Sequence, residues 1–142
     1  WITILRRREN YRAAFAGFDP EKIAGFGPDD VARLMNDAGI IRNKSKIEST
    51  VKNARAFLTV AEQFGSFDTY LWGFVDGRPV LNRWEETSQV PAVTPLAETI
   101  SKDMKRRGFS FFGPTICYAH MQATGMVNDH LKHCFRHAEL EA

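Results

Sequence analysis

Asp37-Ala-Gly-Ile-Ile-Arg-Asn-Lys-Ser-Lys-Ile-Glu48 lies between two stretches of helical periodicity, and its reading decides the fold. Before it, Pro28 to Asp37 puts Val31, Leu34 and Met35 on one face. After it, Ile47, Val51, Ala54, Phe57 and Leu58 recur at helical spacing. Gly39 is expected to supply the positive φ that stops the first helix. Ser45 or Asn43 can cap the second, with Glu48 three residues after Ser45 as in a capping box. The stretch therefore predicts helix, tight hairpin, helix, with the hairpin at about residues 37–48. Arg42, Lys44 and Lys46 cluster at the start of the second helix, an end that already carries partial positive charge and unpaired N–H groups. Gly39, Ile40, Arg42, Asn43, Lys44 and Lys46 together suit an anion, and a nucleic-acid phosphate is the obvious candidate. The competing reading is an ordinary helical corner with solvated lysines.

The 142 residues, 44% hydrophobic and 12% aromatic, suit a single globular domain over 1–142 with a sizeable core. No apolar run approaches the roughly 20 residues that span a bilayer, which argues against a membrane partner. No secretory signal pattern is present. A formal net charge of +2 excludes a strong polycation, so any nucleic-acid contact must come from local clustering of charge. Cys117 and Cys134 are too few for a disulfide framework and point to a reducing, cytoplasmic setting. Nothing suggests more than a monomer. Trp1-Ile-Thr-Ile-Leu5 reads as the interior of a helix without a cap, so a preceding segment is expected.

Residues 1 to about 16 read as one helix with Ile4, Leu5, Tyr11 and Phe15 inward, ended by Gly17. Asp19 and Pro20 read as cap and first residue of a short helix. The helix after the hairpin runs to Phe64, closed by Gly65, and Phe67 to Val75 forms another with Trp72 as a core residue. The stretch from Arg78 to Pro95, with three prolines, is irregular, a surface loop or a short β-hairpin. Thr94-Pro95 opens a helix to Arg107, and Pro114 opens one to about Gly125. Val127 to His137 reads as the last helix. The class is all-α, about seven helices with short connectors.

His130 and Cys134 are four apart, on one helical face at about 5–6 Å between Cβ atoms. Imidazole and thiolate make half of a structural zinc site, which wants four ligands; the competing reading is a free thiol with surface histidines. Asp129 is a candidate general base or, more simply, a helix cap. Nucleophile triads and Gly-rich phosphate loops are absent from the sequence.

Five long runs resemble the bacterial DNA-3-methyladenine glycosylase I family: Trp1 to Arg12, Asp37 to Arg42, Arg106-Arg-Gly-Phe109, Phe112 to Tyr118 and Met121 to His130. The resemblance spans nearly the whole chain. It implies a helix-hairpin-helix glycosylase fold, with the opening stretch as the hairpin. It also implies base-excision repair of double-stranded DNA containing alkylated bases. The family flips out 3-methyladenine, hydrolyses its N-glycosidic bond and leaves an abasic site. Carried over, Trp1 matches the tryptophan that stacks on the extruded base. Ala119 matches a pocket position that is serine in some members. His130 and Cys134 match the last two ligands of a structural Zn2+. The family's first two zinc ligands, and a glutamate that contacts the base, belong to a segment preceding the position of Trp1, so the catalytic residue is unknown from this sequence. The alternative is a non-enzymatic helix-hairpin-helix module that grips DNA only by its backbone.

Overall fold

The hairpin pair forms where the periodicity predicts it. In the computed structural model, which describes residues 1–140, α4 (Pro28–Asn36) and α5 (Lys44–Phe64) flank the turn. Leu34 is fully buried, and Ile40, Ile47, Val51 and Ala54 close over it. Two earlier helices, α2 (Arg8–Ala14) and α3 (Pro20–Ala24), complete this core with Phe15 and Ile23. Tyr11, Phe15 and Phe26 stack in succession across it.

By its contacts the chain divides into two compact units. The first comprises Trp1–Gln63 and Arg107–Phe111; the second comprises Phe64–Arg106 and the residues from Phe112 onward. In the second, α6 (Phe67–Trp72), α7 (Pro95–Arg106) and α8 (Pro114–Ala123) supply the apolar interior. Ala97, Ile100 and Met104 of α7 face Cys117, Tyr118 and Met121 of α8. The Tyr70 hydroxyl donates to Asp103 at 2.8 Å, which satisfies the buried phenol.

Several helix boundaries follow their local signals. The Asp19 carboxylate accepts from the amides of Glu21 and Lys22. Gly65 leaves α5 at φ 85°, the left-handed conformation that terminates a helix cheaply only at glycine.

Four expectations are corrected. The predicted first helix is two: α1 (Ile2–Leu5) ends before Arg7, which is not helical (φ −102°, ψ 8°). Ile4 and Leu5 are exposed, so no packing holds α1 in line with α2. The irregular stretch contains neither a bare loop nor a hairpin. Its Val80–Leu81 (β1) pairs in parallel with Val127–Asn128 (β2), far along the chain. Val127 is therefore strand and not helix, and the last helix, α9, is only Phe135–Glu139. Trp72 is half-buried and lines an open groove with Asp68 and Asp76. The fold remains predominantly helical, with this two-residue ladder as a minor addition.

Candidate nucleic-acid interface and metal half-site

The hairpin is shaped first by its own side chains. Asp37 ends α4 in extended backbone, and its carboxylate accepts the Gly39 amide at 2.7 Å. Gly39 does not adopt the positive φ expected of it. Its role is spatial: a Cβ there would lie 2.9 Å from Asp37 Oδ1 and 3.1 Å from Asn10 Nδ2. Asn43 caps α5, accepting the Lys46 amide on Oδ1 at 3.1 Å. Ser45 is inside the helix, and Glu48 sits 3.8 Å from Lys44 rather than reaching back to the cap.

Two residues of α2 that sequence reading missed steady the turn. Asn10 donates to the Gly39 carbonyl at 3.1 Å, and the Tyr11 hydroxyl accepts the Ile41 amide at 3.0 Å. They lie 29 and 30 residues away, and no local pattern flags them.

What remains is a helix start with unpartnered donors. Among the described residues, the amides of Arg42, Lys44 and Ser45 have no hydrogen-bond partner. The side chains of Arg42 and Lys46 are exposed and pair with no carboxylate among the described residues. The Lys44–Glu48 pair is solvent-exposed at long range, so it restrains Lys44 little. Besides Gly39, two of the six hairpin residues singled out by sequence have part of their polar or side-chain capacity engaged within the fold. The Ile40 side chain is buried in the core and can offer only backbone. The Asn43 side-chain oxygen is occupied by its capping bond.

Trp1 is 95% exposed and is not a core indole. Ala119 is exposed on α8, where its neighbour His120 meets Phe112 edge-on and burial lowers the imidazole pKa.

His130 and Cys134 do come together, but not on a helix. His130 follows β2, a turn intervenes, and Cys134 is the N-cap of α9. The Cys134 Sγ stands 3.8 Å from His130 Nδ1. Zinc bonded at about 2.3 Å to sulfur and about 2.0 Å to nitrogen holds tetrahedral ligands about 3.5 Å apart, so the pair fits two corners of such a site. No group of three or more acidic, cysteine or histidine donors suited to a metal occurs among the described residues. His133 is exposed, and the buried His137 donates from Nε2 to the Asn82 carbonyl at 2.7 Å.

Asp129 neither caps a helix nor is free to act as a base. Its Oδ1 accepts from Asn82 Nδ2 at 2.7 Å and Trp84 Nε1 at 2.8 Å. Its Oδ2 accepts from Gln122 Nε2 at 2.8 Å and from the Tyr118 hydroxyl. Burial opposes ionisation, but the four donors outweigh it and hold the carboxyl below its ordinary pKa.

The methyladenine glycosylase family model matches residues 1–137. DNA-3-methyladenine glycosylase 1 of Escherichia coli strain K12 is 46% identical over 134 residues, covering 94% of this chain and 72% of that protein. DNA-3-methyladenine glycosylase of Haemophilus influenzae is 43% identical with the same coverage. A solved structure of 3-methyladenine DNA glycosylase I from Staphylococcus aureus superposes with a TM-score of 0.89 at 37% identity, over 95% of this chain and 72% of that one.

Proposed function

The chain belongs to the methyladenine glycosylase family, and we propose from that footing how its own residues serve the reaction. It is a DNA repair glycosylase that hydrolyses the N-glycosidic bond of 3-methyladenine. The single observation that carries the division of labour is the α5 start: three unpartnered amides beside Arg42, Lys44 and Lys46. That end binds a backbone phosphate, with the amides as donors and the side chains as screening charge. Asp37, Asn43, Asn10 and Tyr11 are positioning residues for the turn, since each bonds its backbone.

A damaged base must leave the stack before a side chain can reach it. Methylation at N3 makes adenine cationic, so it stacks well on an indole and is already a good leaving group. Trp1 serves as that stacking surface, the role that the family likeness of the run Trp1 to Arg12 implies. Ala119 lines the base pocket as an apolar position. The saturated Asp129 argues that this carboxylate does not activate water.

His130 Nδ1 and the Cys134 thiolate would hold a structural Zn2+, a reading supported by their 3.8 Å separation. When bound, the ion would cross-link the turn and contribute folding free energy. The substrate is duplex DNA bearing alkylated bases, and the protein works as a cytoplasmic monomer. Two thiols, neither in a disulfide, agree with a reducing compartment. No helix among the described residues is long and apolar enough to cross a membrane.

The test is release of free 3-methyladenine from alkylated duplex DNA. Trp1→Ala is expected to abolish release while leaving duplex affinity within about twofold, because backbone contacts dominate affinity. Intact protein that binds such DNA but frees no base would instead favour a pure backbone-binding module.

A further inference from the structure

We infer that the segment Asn82–Glu85, gripped by Asp129, is a brace that sets the spacing of the metal-ligand pair His130 and Cys134. The inference rests on the zinc reading above. It gives a role to the stretch after β1, which the helical periodicity of the chain leaves unexplained.

Asn82, Trp84 and Glu85 all bond the ligand loop. The Asn82 amide donates to the Asn128 carbonyl at 3.1 Å, its side chain donates to Asp129, and its carbonyl accepts from His137. The Trp84 indole donates to Asp129, and its carbonyl accepts the Lys132 amide at 2.8 Å. Glu85 pairs with Lys132 Nζ at 2.8 Å. These bonds fall on both sides of His130 and just before Cys134. From the other side, Tyr118 and Gln122 of α8 hold the second Asp129 oxygen.

The local bonds of the loop would not suffice alone. Asn128 Oδ1 accepts the His130 amide at 3.2 Å, and the Cys134 amide donates to Leu131 at 2.8 Å. These shape the two ends of a turn without fixing the distance between its side chains. Asp129 fixes the His130 end, because an ionised carboxylate that accepts four directed bonds has one position and one orientation, and the bonds of Lys132 to Trp84 and Glu85 fix the approach to Cys134. The Asp129 backbone leads directly into His130. Asp129 and Trp84 are therefore positioning residues: they touch no metal, and they act by holding the groups that do. Outer contacts of this kind typically change metal affinity by about 10–100-fold when removed.

The experiment titrates the whole protein with Co2+, reading its visible absorption, and then competes with Zn2+. The wild type is expected to show the absorption of cobalt bound through a thiolate. Asp129→Asn places an amide NH2 against donors. It is expected to weaken zinc binding by about tenfold or more and to alter the cobalt spectrum. Trp84→Phe, which loses one donor and keeps an aromatic ring, should show the same change to a smaller extent. Val51→Ala opens a hole in the hairpin core, in the first compact unit, and serves as a stability control. It should lower the melting temperature yet leave zinc affinity within about twofold and the spectrum unchanged.

A wild type that binds cobalt and zinc, with both brace variants matching it, would overturn the brace and leave the zinc reading standing. The brace also falls if Val51→Ala weakens metal binding as much as Asp129→Asn does at equal loss of melting temperature. A wild type that binds neither ion would overturn the zinc reading and the brace together.

Discussion

In the 37–46 hairpin, the side chains that bend the backbone sit two and three residues from the amides they bind: Asp37 on Gly39, Asn43 on Lys46. In the 129–134 turn, the carboxylate at the centre takes its donors from seven, 11, 45 and 47 residues away. Both are short turns to which the proposed function assigns a ligand. The first is largely self-specified and leans on α2 for support. The second has no shape of its own until two distant segments close on it. Short loops can thus differ in where their shape comes from: the first takes its bend from near neighbours in sequence, the second from tertiary contacts.

The contrast can be broken from either side. The largest effect is expected from Leu34→Ala, which removes a fully buried side chain under the hairpin. It should cost about 3–5 kcal/mol in urea unfolding, since the cavity adds to the lost transfer energy. Asp129→Ala leaves four donors facing one another and should cost about 2–4 kcal/mol. Hydrogen exchange sharpens the comparison. Asp129→Ala should strip protection from amides 130–134 and spare those of 39–43; equal loss in both would refute the difference drawn here.

Gly39→Val drives a Cβ into Asp37 and Asn10 and should lower DNA affinity about tenfold with little change in metal binding. An alkaline titration addresses the second unit. Burial raises the Cys117 thiol to about 11 from 9.0, and burial with Asp129 raises Tyr118 too. A raised pKa means the folded state holds its proton more tightly. Stability is then fully present below the unfolded value and falls as pH climbs from about 9 toward 11. Cys117→Ala should flatten part of that fall. The smallest change is expected from Lys46→Ala, which should reduce the slope of log affinity against log salt by about one. An unchanged slope would remove Lys46 from the phosphate contacts.

The hairpin, the cap at Asp19, and the extents of α4, α5, α7 and α8 were legible in the sequence, whereas the cap of α5 stayed open between Ser45 and Asn43. The family was legible too, through long ungapped runs. These features rest on local causes: the spacing of apolar residues, a carboxylate or amide near the amides it caps, and glycine or proline at an end. Gly39 shows where that legibility stops. The residue marks the turn correctly, but the reason is the approach of Asn10 from α2, which local reading cannot supply.

The turn at His130 and Cys134 lies beyond that limit. Their spacing of four fits a helix on paper, yet the pairing of Val127 with Val80 commits the chain to strand just before it. A two-residue ladder leaves no periodicity to detect, and the carboxylate at Asp129 looks like any cap until its donors are known. Sequence alone determined the extents of the longer helices, where the bend between α4 and α5 falls and which family the chain belongs to, because short-range sterics and hydrogen bonds govern the first two and long ungapped runs reveal the third. Only the tertiary structure decided that α1 stands apart from α2, that Asp129 is saturated and that His130 meets Cys134 across a turn. Each of those depends on groups brought together from remote parts of the chain, whose proximity exists only once the chain has folded.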